Sequence, residues 1–200
     1  CFARLCGEGE MEVSRDGEVV ARLSAAHIIL ATGAHPRSIP GVEVDGKVGW
    51  SDREAMTPAS VPGSQLVIGS GAIGMEFASF YRSFGADVTV LEMLDRILPQ
   101  EDADVSAGAA RAFGRRGITL HTAAKLERLD VDESGAGATW NTGSGDTSQQ
   151  RFDRVIVAVG VRANTAGMGL EDLGVQLDEG QVVVNPWCET SVPGVYAIGD

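Results

Sequence analysis

Chemistry is concentrated in one short run, Gly69-Ser70-Gly71-Ala72-Ile73-Gly74, and in an acidic residue, Glu92, that lies 92 − 69 = 23 positions past its first glycine. Glycine at the first position of such a run lets a strand turn sharply. At the second it lets backbone approach a pyrophosphate, and at the third it lets a helix pack closely. A pyrophosphate held there rests on the N-terminus of the following helix, where free N–H groups and the helix dipole favour an anion. The acidic residue falls close to the separation of about 20 at which a carboxylate accepts ribose hydroxyls. A bare glycine pattern is weak. This one follows the apolar run Gln65-Leu66-Val67-Ile68, opens an amphipathic stretch, and precedes a second apolar strand that ends at Glu92. The plainer alternative is a glycine turn that only packs, with Glu92 at a solvated strand end; it must produce loop, helix and carboxylate together. The reading is a dinucleotide site that prefers NAD(H), because a carboxylate accepts both ribose hydroxyls and repels a 2′-phosphate. Arg96, four residues on, is the nearby cation able to meet such a phosphate.

The elements that must position these residues follow from periodicity. After the loop, Ile73, Phe77, Phe80, Tyr81 and Phe84 recur at helical spacing and are expected to face the sheet, with Gly85 closing the helix. Asp87 to Leu91 reads as the second strand. A second helix is expected from about Asp102 to Arg116, with Asp102 or Asp104 as its cap and Val105, Ala109, Ala112 and Phe113 as its apolar face. Ile118 to His121 reads as a third strand, which completes a βαβαβ half of a doubly wound sheet. Glycines at 135, 137, 143 and 145 break residues 126–153 into short segments, read as a β-meander instead of another crossover helix. Val155 to Val159 returns as a buried strand that stops at Gly160. The expected fold class is therefore α/β, a Rossmann-like doubly wound parallel sheet with a β-meander.

The flanks read differently. Arg4-Leu5, Met11 to Val13 and Val19 to Leu23 are short strands, the last two joined by a hairpin at Arg15-Asp16-Gly17-Glu18. His27 to Ala31 reads as a buried strand stopping at Thr32-Gly33. Pro36, Pro40, Pro58 and Pro62 make the following stretch a linker. Val182 to Val184 and Val195 to Ile198 are strand-like.

Composition narrows the function class. Sixteen basic and 28 acidic residues give a net charge of −12, with no basic cluster, which argues against nucleic acid and anionic membrane surfaces as partners. No apolar run reaches the length of a membrane span. Three cysteines make no disulfide framework and suit a reducing, cytoplasmic compartment. The chain opens on Cys1 and stops at Gly199-Asp200 straight after a strand-like run, so both ends are expected to continue in a longer protein.

With these residues in hand, the stretch Gly69 to Asp104, GSGAIGMEFASFYRSFGADVTVLEMLDRILPQEDAD, resembles the dihydrolipoamide dehydrogenase family. Ile28-Ile29-Leu30-Ala31-Thr32-Gly33 is similar to that family's ATG segment. Val192 to Asp200 is similar to its second flavin motif, whose aspartate binds the ribityl chain. Gly160-Val161-Arg162-Ala163-Asn164-Thr165 departs slightly from the broader pattern Gly-Arg-x-Pro-Asn-Thr. The resemblance implies an FAD- and NAD-dependent disulfide oxidoreductase whose NAD domain is inserted in its FAD domain. Carried over residue by residue, the NAD set is Gly69, Ser70, Gly71, Ala72, Ile73, Gly74, Met75, Glu76, Glu92, Leu126 beside the adenine and Gly160 near the nicotinamide; Thr32, Gly33 and Asp200 would touch FAD. Glu76 would lie near the nicotinamide, where the family pairs it with a lysine of the flavin domain. The implied layout is a partial FAD-domain segment at 1–38, a linker at 39–60, the NAD(H)-binding domain at 61–185 and a second FAD-domain segment at 186–200. Beyond the nucleotides, the resemblance implies a homodimer and membership of a 2-oxo acid dehydrogenase complex.

The family's glycine-rich FAD loop, redox cysteine pair and C-terminal histidine segment have no counterpart in the chain, so no catalytic residue is assigned and no reductase activity is expected of it alone. Cys1 and Cys6 share the four-residue gap of the family's redox pair but are followed by Gly-Glu-Gly-Glu and strands, and are read as unrelated. Cys188 is read as a buried, inert thiol. His27, His35 and His121 are too scattered to bind a metal. Met56, Met75, Met93 and Met168 are read as core or rim filler. Related NADH oxidases, coenzyme A disulfide reductases, mercuric reductases and ferredoxin reductases share the glycine loop, and a non-catalytic NAD(H)-binding module is the alternative of a different class.

Overall fold

Alternating short strands and a tight turn build the opening of the chain. Strands β1 (Phe2–Gly7), β2 (Glu10–Arg15) and β3 (Glu18–Ser24) form an antiparallel sheet in that order. Asp16 and Gly17 join the last two with φ of 52° and 85°, the pair of positive values that a two-residue hairpin turn requires. β4 (Ile28–Leu30) and β5 (Ala34–Pro36) follow. The structure is a computed structural model and describes residues 1–143 and 145–200.

A parallel sheet comes next in the chain. Its elements are β6 (Gly49–Trp50), α1 (Asp52–Met56), β7 (Ser64–Ile68), α2 (Ala72–Ser83), β8 (Asp87–Leu91), α3 (Ala103–Arg115) and β9 (Thr119–His121). A meander of β10 (Lys125–Asp132), β11 (Gly135–Asn141) and β12 (Thr147–Phe152) precedes the last strand, β13 (Arg154–Val157). The sheet order is β6-β13-β7-β8-β9, and every neighbouring pair is parallel. Its strands read as near-continuous apolar runs because both faces are covered. One face packs Val67, Val88, Val90 and Ile156 against Ala55, Met75, Ala78 and Tyr81 of the helices. The other packs Leu66, Ile68, Val155 and Val157 against Ala136, Ala138, Trp140 and Phe152 of the meander. Fully buried side chains such as Leu66 and Ile156 each contribute roughly 1.5–3 kcal/mol relative to exposure.

The chain then adds β14 (Val161–Ala163), which pairs with β5; the short hairpin β15 (Leu177–Asp178) and β16 (Gln181–Val182); and β17 (Val195–Ala197), parallel to β4. Two compact units result, Cys1–His35 with Val161–Asp200, and Pro36–Gly160. The first has its own core of Leu5, Ile28, Leu30, Met168, Leu170, Val175, Val192 and Val195.

Several expectations are corrected. The proline-rich stretch after residue 38 is not a bare linker: it supplies β6 and α1 to the second unit. Helix α1 starts with a capping box in which Ser51 accepts from the Arg53 N–H and Glu54 accepts from the Ser51 N–H. Residues 161–185 belong to the first unit, and the glycine loop to the second. Val183 and Val184 are exposed and outside any strand, and Ile29 of β4 is exposed, so that strand is buried on one side only. On α2 the sheet-facing residues are Gly74, Met75, Ala78 and Tyr81, whereas Ile73, Phe80 and Phe84 are 41%, 44% and 61% exposed. The reason is size. Close approach of helix to loop demands small residues beneath the axis, which turns Phe80 and Phe84 to the flank, where Phe80 meets Tyr81 and Phe84 at 5.1 and 4.8 Å between ring centres, while Phe77, as expected, packs partly buried against the core. Helix α3 keeps two of its expected face residues, Ala109 and Phe113, turned inward together with Ser106 and Ala110, while Val105 and Ala112 are exposed. Its cap is Asp102, which accepts from the Asp104 N–H at 2.8 Å.

Candidate functional site

The glycine loop joins the carboxyl end of β7 to the N-terminus of α2. Sheet neighbours diverge at β7, with β8 on one side and β13 on the other, so the loop stands at the switch point where open α/β sheets leave a crevice. Gly69 has φ of +99°, and a side chain there would collide with the Ala158 carbonyl. A methyl on Gly74 would collide with the Gly69 carbonyl oxygen and approach Ala158 Cβ at 3.4 Å. Gly71 differs from both: a Cβ there would project into open space. Gly71 is also the N-cap of α2; it provides no side-chain cap, and the first turn, which holds Ala72 and Ile73, carries no acidic residue. The first N–H groups of α2 are thus left to an outside anion. The space above Gly71 and this uncapped helix end fit the pyrophosphate of a dinucleotide.

Glu92 follows β8 directly and is 8% exposed. Its Oε2 accepts from the Ser70 N–H at 2.9 Å and from the Ser70 hydroxyl at 2.7 Å, and its Oε1 accepts from the Leu94 N–H at 2.9 Å. The carboxylate is therefore joined to the loop across the ends of two adjacent strands. The segment after it also closes on the loop, through the Leu98 N–H to the Ser70 carbonyl at 2.9 Å, with Leu98 held at φ of 46°. Arg96 donates to the Pro99 carbonyl at 3.1 Å.

Other expected residues are placed as follows. Gly160 lies just past β13 on the same carboxyl edge of the sheet and accepts from the Arg37 N–H at 2.9 Å. Leu126 opens the meander and packs against the core beneath it, which suits a structural residue at least as well as a ligand contact. Met75 is buried under the helix and reaches the site only through its backbone. Glu76 is exposed on α2 and is among the residues that line a cavity of about 430 Å³ with Ala72, Ser79, Phe80, Leu98 and Phe113. In the other unit, β4 and β17 run parallel in register, with Leu30 opposite Ala197, which brings Thr32-Gly33 and Asp200 to one edge. Asn164 fastens that edge: its N–H donates to the Gly33 carbonyl at 2.9 Å and its Nδ2 to the Thr32 carbonyl at 3.0 Å.

Sequence spacing missed two of these features. No pattern signalled that the Ser70 hydroxyl meets Glu92, since a serine between two glycines has many uses. The Asn164 clamp joins residues 132 apart, and only the run around Asn164 hinted at it. Cys1 and Cys6 stand at opposite ends of β1; five residues of strand separate their Cα atoms by roughly 16 Å, beyond the reach of a disulfide. Cys188 is half-buried and adopts φ of 63°, a correction to its reading as a buried thiol. Met56 and Met93 are exposed, while Met75 and Met168 are core. Among the described residues no three His, Cys, Asp or Glu side chains gather as a metal site, and no helix is long and apolar enough to cross a membrane.

Comparison with known proteins identifies the family. The chain is 48% identical over 177 residues to the dihydrolipoyl dehydrogenase of Rhizobium etli, which covers 88% of the chain and 37% of that relative. It is 45% identical over 197 residues to the dihydrolipoyl dehydrogenase of Zymomonas mobilis, covering 98% and 42%. The chain thus spans about two-fifths of the length of the curated relatives it matches. Among solved structures, LpdA from Mycobacterium tuberculosis superposes with a TM-score of 0.79 at 30% identity, over 96% of the chain and 41% of LpdA. The HOCl-induced flavoprotein disulfide reductase RclA from Escherichia coli gives 0.80 at 25% identity, over 99% and 44%. Residues 5–200, which include the glycine loop, Glu92 and the Thr32 edge, match the family described as pyridine nucleotide-disulphide oxidoreductase, and the chain belongs to that family.

Proposed function

We propose that this chain is the NAD(H)-holding part of a flavoprotein dihydrolipoyl dehydrogenase. The observation that carries the reading is the pairing of an uncapped helix N-terminus over open space at Gly71 with a buried carboxylate, Glu92, anchored beside it. In this reading the first N–H groups of α2 receive the pyrophosphate, and Glu92 accepts the adenosine ribose hydroxyls. Leu126 borders the adenine, while Gly160 and Glu76 lie toward the nicotinamide. The dinucleotide supplies hydride chemistry, and the protein contributes binding, orientation and electrostatics. Thr32, Gly33 and Asp200 converge on one edge and would contact FAD. The parent protein would move two electrons from a dihydrolipoyl dithiol through a disulfide and FAD to NAD⁺, as a cytoplasmic homodimer within a 2-oxo acid dehydrogenase complex. Identity favours dihydrolipoyl dehydrogenase over the wider set of flavoprotein disulfide reductases: 33–48% to the former against 25–26% to RclA.

A fluorescence titration of the chain with NADH, and in parallel with NADPH, tests the reading. Saturable NADH binding with much weaker NADPH binding is the expected result. A folded chain that binds neither refutes it.

A further inference from the structure

The hydroxyl of Ser70 plays no part in the reasons for glycine at positions 69, 71 and 74, yet it is completely buried and makes a 2.7 Å hydrogen bond to Glu92 Oε2. We infer that Ser70 is a positioning residue: its hydroxyl holds the Glu92 carboxylate in the one orientation that accepts the ribose diol, and so sets the preference for a 2′-hydroxyl over a 2′-phosphate. The inference rests on the nucleotide-binding reading above and deepens it.

A carboxylate offers about four acceptor sites. Three donors already occupy Glu92: the Ser70 N–H and hydroxyl on Oε2 and the Leu94 N–H on Oε1. Ser70 has no exposed surface whereas Glu92 keeps 8%, so the serine grips the carboxylate from within the protein, and three donors on about four acceptor sites leave room for a further one. Of the three donors, two are backbone N–H groups that any sequence would supply. The hydroxyl alone is a choice of side chain. It is also charge-assisted, the stronger kind of hydrogen bond. Glutamate has three side-chain torsions to immobilise, and here they are fixed before a ligand arrives, which spares the complex that entropy. The same grip determines rejection. A free glutamate can swing away from an incoming 2′-phosphate, but one fastened to the loop cannot. Arg96, the nearby cation able to neutralise such a phosphate, donates to the Pro99 carbonyl.

The test is a double-mutant cycle read by titration with NADH and NADPH. Ser70→Ala removes the hydroxyl, keeps the N–H and fits the buried space. The expected result is about a tenfold loss of NADH affinity, the scale of one hydrogen bond to a charged group. NADPH affinity should change less than twofold or improve, so the discrimination ratio collapses. In a Glu92→Ala background the same substitution should change neither affinity, because a positioning residue has nothing left to position. A thermal melt on each variant accompanies the titration. Loss of NADH and NADPH binding in equal measure, or a Ser70→Ala loss that adds to that of Glu92→Ala, would show that the hydroxyl supports the loop and not the carboxylate, and overturns the inference. An unchanged NADH affinity overturns it too. If the unsubstituted chain binds neither nucleotide, the nucleotide reading itself fails and takes this inference with it. If that chain binds NADH and Ser70→Ala is silent, only the inference fails.

Discussion

Two of the loop glycines separate binding from folding. Gly74→Ala places a methyl against the Gly69 carbonyl oxygen, 3.0 Å from its carbon and 3.4 Å from Ala158 Cβ. All but the last of these are backbone atoms of a tight turn, so relief requires α2 to lift from β7. Overpacking of this kind costs about 1–3 kcal/mol, partly offset by the roughly 1 kcal/mol that alanine gains over glycine in a helix. The clash falls on backbone with no rotamer to yield, so the gross cost should lie in the upper half of that range, which leaves about 1–2 kcal/mol net, a fall in melting temperature of roughly 2–8 °C for a chain of this size. Gly71→Ala is the contrast. The backbone at Gly71 is extended, with φ of −65° and ψ of −177°, which alanine adopts freely, and its Cβ would meet nothing within 4 Å. The change costs only the weaker N-cap preference of alanine, about 0.5–1 kcal/mol. Yet the methyl stands where backbone should approach the pyrophosphate, so NADH affinity should fall at least about tenfold, or roughly 1.4 kcal/mol. Thermal melts and NADH titrations well below the transition measure both quantities. A Gly71→Ala chain that keeps NADH affinity within about twofold while remaining folded would refute the placement of the pyrophosphate.

Tyr81 lies fully buried at the foot of α2, where its hydroxyl donates to the Ala55 carbonyl at 2.6 Å, and burial pushes its ionisation above the usual tyrosine value. Tyr81→Phe leaves that buried carbonyl unpaired and should cost about 1–3 kcal/mol in chemical denaturation without altering NADH affinity; a loss below about 0.5 kcal/mol would contradict the role given to this contact. Acid should destabilise the second unit in a defined window. The Ser51 hydroxyl, then its N–H, holds Glu54 below its ordinary value of 4.5. Burial would raise Asp45, but the N–H groups of Lys47, Gly49 and Val48 outweigh it and hold the carboxyl below 3.8. Carboxylates depressed on folding contribute their full stabilisation above the unfolded pKa and lose it as pH falls through the lower folded value, so the decline begins below about pH 4.5. Melting temperatures measured from pH 7 to pH 3 should show it. Glu54→Gln should flatten part of that slope, and an unchanged slope would remove the capping box from the account.

What the sequence made legible was governed by backbone. Gly69, Gly71 and Gly74 report where a chain must turn, stay open or pack closely, and those needs are local. The meander was legible for a related reason, since glycines interrupt every candidate helix between residues 126 and 153. The helix faces were not. On α2 the aromatic positions and the small positions Gly74 and Ala78 both repeat with helical period and share Tyr81. Hydrophobicity favours the aromatic stripe. Approach distance decides for the small one at the start of the helix, where the third glycine touches the preceding loop; further along, Phe77 packs partly buried while Phe80 and Phe84 stay exposed. The capping box at Ser51 and Glu54 could have been found from its four-residue pattern, but the surrounding prolines made the region read as a linker.

Residues 161–185 show the harder limit. They contain no long periodic element, only the short strands β14, β15 and β16, so nothing local says which core they join. Met168, Leu170 and Val175 are buried with Leu5, Ile28 and Leu30, partners more than 130 residues away. A hydrophobic residue in an irregular segment tells that it will be buried but not against what. The same limit covers the pairing of Ser70 with Glu92, where each residue type is unremarkable and only the register of β7 on β8, Ile68 opposite Leu91, sets the two side by side. Strand register thus converts two separate signals, a glycine turn and an acidic strand end, into one anchored carboxylate. Any change that slipped β8 by one residue would point Glu92 to the other face of the sheet and dissolve the site while leaving every motif in the sequence intact.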